Sequence, residues 1–334
     1  METRVAVDAM GGDLGPAVVL SAVLSVLRED PLLSVDLFGD EHQLAGMMAS
    51  AGLSVSGDHR LTIHHAPDAV DMTDSPVHAL RHKKHSSMRM ALERLQSGQA
   101  SACLSAGNTG ALVLMGHHLL KTLPGVERAA MCTLLPSPDG HTFLLDVGAT
   151  VEVTPALLLQ HAKLGTAMAR HLDGCTRPRV GLLNVGVEAG KGPMLMCDAD
   201  ALLRACADIE YRGFVEGNDL FAGTVEVVVT DGFTGNIALK ASEGAARLVS
   251  IKVADYVRRH PLLGLLAGIL RPLLKGLKSE LDPESFNGAC LLGLQGVVVK
   301  SHGASSERGM AQSLRLAARL GRSSLISDGM KVVV

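Results

Sequence analysis

Aromatic side chains are nearly missing from this chain of 334 residues: they make up 2%, with no Trp and two Tyr. Grooves for nucleic acid lean on stacking rings and a basic surplus. The formal net charge here is −3, so nucleic acid is excluded as a partner. Charged residues amount to 19% against 47% apolar, a balance that excludes disorder. No Cys-x-x-Cys pair occurs among Cys103, Cys132, Cys175, Cys197, Cys206 and Cys290. Scattered mostly through apolar stretches, they read as reduced, buried thiols of a cytoplasmic protein rather than a disulfide framework. Glu2, Arg4 and Asp8 interrupt the N-terminus, so no signal peptide is expected. The charge-free run from Leu95 to Leu120 contains Gln96, Ser97, Asn108, His117 and His118, too polar for a span of about 20 apolar residues.

What the chain does have is apolar bulk and punctuation, with a mean hydropathy of +0.26 and 36 glycines. Short β-branched runs predict strands at Arg4–Ala9, Ser34–Phe38, Leu61–His65, Ser101–Ser105, Ala129–Leu135, Thr142–Val147, Arg179–Val185, Tyr211–Glu216, Val225–Thr230 and Gly296–Lys300. Segments of 3.6-residue periodicity lie between most of them, including Gly15–Arg28, Ser75–Leu95, Thr109–Leu120, Thr154–His171 and Gly235–Arg258. This alternation predicts an α/β fold, a largely parallel sheet covered on both faces. A hairpin around Pro138-Asp139-Gly140, and too little room for a helix within Tyr211–Thr230, make the sheet mixed. No repeat or linker divides the chain, so residues 1–334 read as one continuous body.

Ligands of open α/β sheets sit beyond the carboxyl ends of strands. Six strands here end in glycine-rich polar loops: Asp8–Asp13, Ser105–Gly110, Asp146–Gly148, Asn184–Gly192, Thr230–Asn236 and Ser301–Ser306. Glycine permits tight turns and close approach, and a helix starting just after offers free N–H groups and its positive dipole end to an anion. Ser105–Gly110 and Asp231–Asn236 fit best, although their Asn and Asp also suit plain helix capping. Six such loops point to a phosphate-type cleft. Neither a P-loop, a dinucleotide fingerprint, a nucleophile elbow nor a His-Glu-x-x-His pattern occurs, so the bound anion itself is the expected nucleophile. Lys191 and Lys240 are the candidate charge partners, Lys240 lying one helical turn after Asn236. His302, in a Gly/Ser loop, reads equally as a proton carrier or a loop stabiliser. His78, His82 and His85 share a helical face, but interleaved Arg81, Lys83, Lys84 and Arg89 disfavour a metal and suit a solvated basic face or an acidic partner.

These motifs together resemble the bacterial phosphate acyltransferase family, often called PlsX. The resemblance is carried by Asp8–Asp13, Ser105–Gly110 with Ala111-Leu112-Val113, Leu145–Gly148, Gly213–Gly217 with Asp219, Val229–Asn236 with Leu239-Lys240 and Glu243-Gly244, and Gly296–Ser305. It implies a three-layer α/β/α fold with intertwined subdomains, like phosphotransacetylases and the isocitrate/isopropylmalate dehydrogenases. It also implies a cofactor-free enzyme that turns acyl-[acyl carrier protein] and inorganic phosphate into acyl phosphate and free carrier protein for phospholipid synthesis. A homodimer follows, as does a downstream glycerol-phosphate acyltransferase that consumes the product. The expected substrate contacts are Asp8, Gly11, Gly12, Ser105, Gly107, Asn108, Thr109, Gly110, Asp146, Asp231, Gly232, Thr234 and Gly235, with Lys191, Asn236, Lys240 and His302 as catalytic groups. Arg81, Lys83, Lys84 and Arg89 are the candidate carrier-docking set. Departures from the family pattern are Ser75 for Lys, His85 for Asp, Thr150 for Asn, and Asn287-Gly288-Ala289-Cys290 for Gly-Gly-Ala-Pro.

The stretch Pro261–Lys278 places Leu262, Leu265, Leu266, Ile269 and Leu270 on one helical stripe, with Arg271, Lys275 and Lys278 on another. Pro272 divides it, and its uncharged part is too short to span a bilayer. The pattern suits a core, a dimer contact or an interfacial helix. The resemblance favours peripheral contact with the inner face of the cell membrane. Rival readings are an enzyme using acyl-CoA, as a short-chain phosphotransacetylase does, and a non-catalytic membrane scaffold for lipid-synthesis enzymes.

Overall fold

The computed structural model describes residues 2–50, 59–260, 283–323 and 325. Its strands are β1 (Thr3–Asp8), β2 (Leu33–Gly39), β3 (Leu61–His65), β4 (Ala102–Ser105), β5 (Ala130–Ser137), β6 (Gly140–Leu145), β7 (Arg179–Leu183), β8 (Glu210–Val215), β9 (Val227–Val229), β10 (Ala289–Leu292) and β11 (Val297–Lys300). The helices are α1 (Pro16–Glu29), α2 (Glu41–Ser50), α3 (Pro76–His82), α4 (Ser87–Gln96), α5 (Thr109–Leu120), α6 (Pro155–Asp173), α7 (Met194–Ala205), α8 (Gly232–Arg259) and α9 (Glu307–Gly321).

All eleven strands join one sheet in the order β3-β2-β1-β4-β11-β10-β5-β6-β9-β7-β8. Pairing is parallel from β3 to β11 and again from β6 to β8, whereas β11–β10, β10–β5 and β5–β6 are antiparallel. The two parallel blocks therefore run in opposite senses. One block comes from both ends of the chain and the other from its middle. Ion pairs Arg315–Glu29 (2.7 Å) and Arg322–Asp30 (2.6 Å) fasten α9 onto the segment that ends α1.

One face of the sheet packs against α1, α2, α6, α7 and α9, the other against α3, α4, α5 and the start of α8. The three-layer α/β/α arrangement and the mixed sheet are as the sequence predicts. Strand β10 is missing from that reading, because Ala289-Cys290-Leu291-Leu292 is short, lacks β-branched residues, and becomes a strand only by pairing on both sides. The expected helix Ser75–Leu95 is divided. Lys83 caps the first part and Ser86 starts the second, and the break lets Ser87 donate to Asp8 (2.6 Å).

Cys103, Cys132 and Cys290 are buried, the other three cysteines are half-buried, and all six are free thiols. Among the described residues no helix is long and apolar enough to cross a membrane. The stripe Leu262, Leu265, Leu266, Ile269 and Leu270 lies outside the described residues.

His161 of α6 is fully buried, and neither ring nitrogen has a hydrogen-bond partner. Burial pulls its pKa down to about 4 from the usual 6.5. Between those values the unfolded chain binds a proton that the folded chain excludes. This group therefore costs stability as pH falls through 6.5, with the full loss, on the order of 3 kcal/mol, reached below 4. Replacing it by leucine (His161→Leu) is expected to reduce the difference in urea-unfolding free energy between pH 7.5 and pH 4.5. An unchanged pH dependence would remove His161 as its source.

Candidate active site

The strand reversal has a direct consequence for the six loops. Those after β1, β4 and β11 leave one edge of the sheet, and those after β6, β7 and β9 leave the other. They do not converge on a single rim. A cleft of about 470 Å³ lies instead on the sheet face between them, walled by α5 and α8. Its floor includes Met131, Thr133 and Leu135 of β5.

Helix α8 joins the two edges. Asp231 caps it, accepting from the Thr234 N–H (2.8 Å), and its first turn rests directly on the loop after β6. A Cβ on Gly235 would lie 1.9 Å from the Asp146 carbonyl oxygen, so only glycine permits this contact. Further along, Asn236 faces Gly148, and Asn236, Lys240 and Glu243 all line the cleft. Lys240 pairs with Glu243 at 2.8 Å and is close enough to Lys300 and His302 to act on their charge. The opposite wall presents Thr109 and Gly110, the first residues of α5. Their N–H groups belong to the helical turn that has no intrahelical acceptors.

Of the expected substrate contacts, only Thr109 and Gly110 line this cleft, joined by the catalytic candidates Asn236, Lys240 and His302. The others support it from behind. Asp8 is buried and accepts from the hydroxyls of Ser105 and Ser87, both at 2.6 Å, and from the Met10 N–H. Burial nonetheless raises its pKa. A Cβ on Gly11 would stand 2.6 Å from the Gly107 nitrogen, so these glycines bring backbone against backbone, not backbone against ligand. Gly12 borders a much smaller recess beside Gly303. Asn108 caps α5 through Ala111 N–H and donates to the carbonyls of Asp71, Met72 and Asp74. Asp146 accepts four backbone N–H groups, from Met131, Gly148, Ala149 and Thr150, at 2.6–3.1 Å. Burial raises its pKa despite these bonds. Gly232, Thr234 and Gly235 shape the start of α8 without facing the cleft. The plain capping reading holds for Asn108 and Asp231.

Lys191 stands apart from the cleft, exposed in the loop after β7 and paired with Glu188 at 2.8 Å. His302 does line the cleft. Its Nδ1 accepts from the Ala304 N–H (3.1 Å), which leaves the proton of the neutral ring on Nε2. Burial, then Lys240, lowers its pKa, so the resting ring is a hydrogen-bond donor and not a stored imidazolium. Asn287 latches the loop, donating to Ser301 (3.0 Å) and Ser305 (2.8 Å) and accepting from the His302 N–H. The basic run divides. Arg81 and Lys84 are exposed, while Lys83 binds Asp74 (2.7 Å) and Arg89 binds Glu93 (2.8 Å).

The sequence reading does not single out the buried cation of the cleft. Lys300 ends the buried strand β11 and lines the cleft at only 7% exposure. The signal available was a lysine closing an otherwise aliphatic run, Val297-Val298-Val299, immediately before His302.

Lys240, Lys300 and His302 lie close enough together to influence one another's charge, and the lining of the cleft also includes the apolar Leu134, Leu135, Pro136, Phe221, Leu239 and Phe286.

A family described as "Fatty acid synthesis protein" matches residues 3–328. The chain belongs to this family. Among curated relatives, "Phosphate acyltransferase" of Cellvibrio japonicus is 47% identical over 314 residues, covering 94% of this chain and 93% of the relative. A protein of the same name from Alcanivorax borkumensis is 45% identical over 329 residues, covering 97% and 96%. Among solved structures, a phosphotransacetylase from Streptococcus pyogenes aligns with a TM-score of 0.64 at 15% identity, over 96% of this chain and 94% of that one. A putative 4-hydroxythreonine-4-phosphate dehydrogenase from Salmonella typhimurium aligns with a TM-score of 0.55, over 96% and 99%. These structural likenesses place the fold among phosphotransacetylase-like and dehydrogenase-like architectures.

Because Asp146 holds four N–H groups and its backbone oxygen seats Gly235, it ties β5, the loop after β6 and α8 together. In Asp146→Asn an amide NH₂ would face backbone donors, at a cost of about 3 kcal/mol. Urea unfolding should show a loss of that order. A change near zero would mean that the loop holds itself.

Proposed function

We propose that this protein transfers an acyl group from an acyl-carrier-protein thioester to inorganic phosphate, yielding acyl phosphate and the free carrier thiol. The observation that carries this reading is that one cleft combines a cluster of cationic and donor groups, Lys240, Lys300, His302 and Asn236, able to hold phosphate, with an apolar lining suited to an acyl chain. The full-length relatives named phosphate acyltransferase support it.

In this scheme a phosphate oxygen attacks the thioester carbonyl carbon, the C–S bond breaks, and the phosphate's proton ends on the departing sulfur. A thiolate is already a good leaving group, so the main task is to strip and aim the hydrated phosphate. Orientation of this kind can contribute about 7–11 kcal/mol. Thr109 and Gly110 N–H groups, Asn236 and Lys240 seat the phosphate and the developing oxyanion, where loss of one donor typically costs about 10²–10³ in rate. The His302 Nε2–H is a further donor at this site.

The apolar residues exposed on α8 bear on assembly. Leu248, Val249, Ile251, Val253 and Tyr256 are each more than half exposed on a helix about 42 Å long. Solvated surfaces rarely carry so many. A homodimer formed through this helix covers them, and the stripe from Leu262 to Leu270 then contacts the inner face of the cell membrane peripherally. Arg81 and Lys84 offer the outward charges for an acidic carrier protein. A glycerol-phosphate acyltransferase would consume the acyl phosphate.

Incubation with acyl carrier thioester should release thiol only when phosphate is present. Lys240→Ala should lower turnover at limiting phosphate at least tenfold while leaving the melting temperature nearly unchanged. Release from acyl-CoA alone would favour the phosphotransacetylase reading, and no release a scaffold. Leu266→Glu should abolish co-sedimentation with anionic liposomes and leave the dimer intact. If the variant still sediments, or falls to monomer, the membrane assignment is wrong.

A further inference from the structure

Lys300 is a buried cation with no ion-pair partner among the described residues. Its Nζ donates to the carbonyl oxygens of Ala106 (3.2 Å) and Ser301. Among the described residues no carboxylate lies within 4.0 Å of it. The charged groups around it explain why. From α8 come Lys240, a like charge, and Glu243, already paired with Lys240. From β1 comes Asp8, whose carboxylate is committed to Ser87 and Ser105. From the loops come Asp13 and the neutral His302. Glu243 and Asp8 are thus engaged elsewhere, and Asp13 acts on Lys300 only from beyond ion-pair distance. An ammonium so placed is costly unless something else supplies negative charge.

We propose that Lys300 binds the phosphate dianion directly, the substrate providing the counter-charge that the protein withholds. This rests on the phosphate reading given above and adds a binding residue to it. Burial and the neighbouring Lys240 bring the Lys300 pKa down to about 8 in the free protein. A bound dianion favours the ammonium and raises that value. Phosphate binding above pH 8 is therefore coupled to uptake of one proton, and affinity falls about tenfold per pH unit there. Below pH 8 the lysine is already charged, and this dependence vanishes.

Calorimetry of inorganic phosphate binding to the whole protein tests this, at about pH 7.5 and pH 9.5 and in buffers of different ionisation enthalpy. Wild type should bind more weakly at the higher pH and take up a proton in doing so. Lys300→Met should bind phosphate about ten- to hundredfold more weakly at pH 7.5 and show no proton uptake. In phosphate-free buffer it should melt no lower than wild type, because an uncompensated buried charge has been removed. A merely structural lysine would instead lower the melting temperature. Equal phosphate affinity in variant and wild type, or lost binding together with a lowered melting point, would overturn the assignment. Should the variant not fold, wild-type binding without proton uptake at pH 9.5 would overturn it as well. If wild type binds no phosphate at either pH, the phosphate reading itself fails, an outcome distinct from these.

Discussion

A parallel strand pair needs a crossover, and in this protein the crossover helices cover the sheet. Antiparallel neighbours joined by short turns need none. At the centre of this sheet β5 and β6 form a hairpin and β10 and β11 another, so four adjacent strands bring only their turns with them. Helices α5 and α8 reach in from the two flanking parallel blocks, and the space left between them is the cleft. The same reversal sends the two blocks of loops to opposite edges. A site that draws on both must lie on a face of the sheet, not along one rim.

Much of the polar chemistry in the loops serves this architecture. Asp8 and Asp146 occupy related places, each at or just beyond the end of a strand, each buried, each saturated by hydroxyl or backbone donors. Burial costs their charge, and the hydrogen bonds offset part of that cost. They fix Gly107 on one side and Gly235 on the other, and so set where the first turns of α5 and α8 stand. The groups facing the cleft include Lys240, Lys300, His302 and Asn236 together with the acids Asp13 and Glu243, so the cations available to an anion there are the ones that Asp8 and Asp146 do not engage.

The sequence made the fold class legible because strands such as Val5–Asp8 and Val297–Lys300 are aliphatic runs and helices such as α6 repeat every 3.6 residues. It failed at β10, whose Ala and Leu residues carry no local strand preference. It ran α3 and α4 together because the break between them serves Asp8, which is 79 residues away from Ser87. Of the residues that line the cleft, Asn236, Lys240 and His302 stand out in the sequence by their loops and spacing. Lys300 was hidden by its apolar neighbours, and the supporting role of Gly11, Gly107 and Asp146 was indistinguishable from a binding role.

Local pattern determines which residues form strands, helices and turns, and it limited this chain to a layered α/β protein with anion-friendly loops. It could not determine strand direction across the sheet, since β10 and β5 look the same read either way until their neighbours pair with them. Only the tertiary structure decided that the loops part to two edges, that α8 bridges them, and that Lys300 lies buried in the cleft with no ion-pair partner among the described residues. Those outcomes depend on contacts between residues more than a hundred positions apart, such as Lys300 with Ala106, and no sequence window contains them.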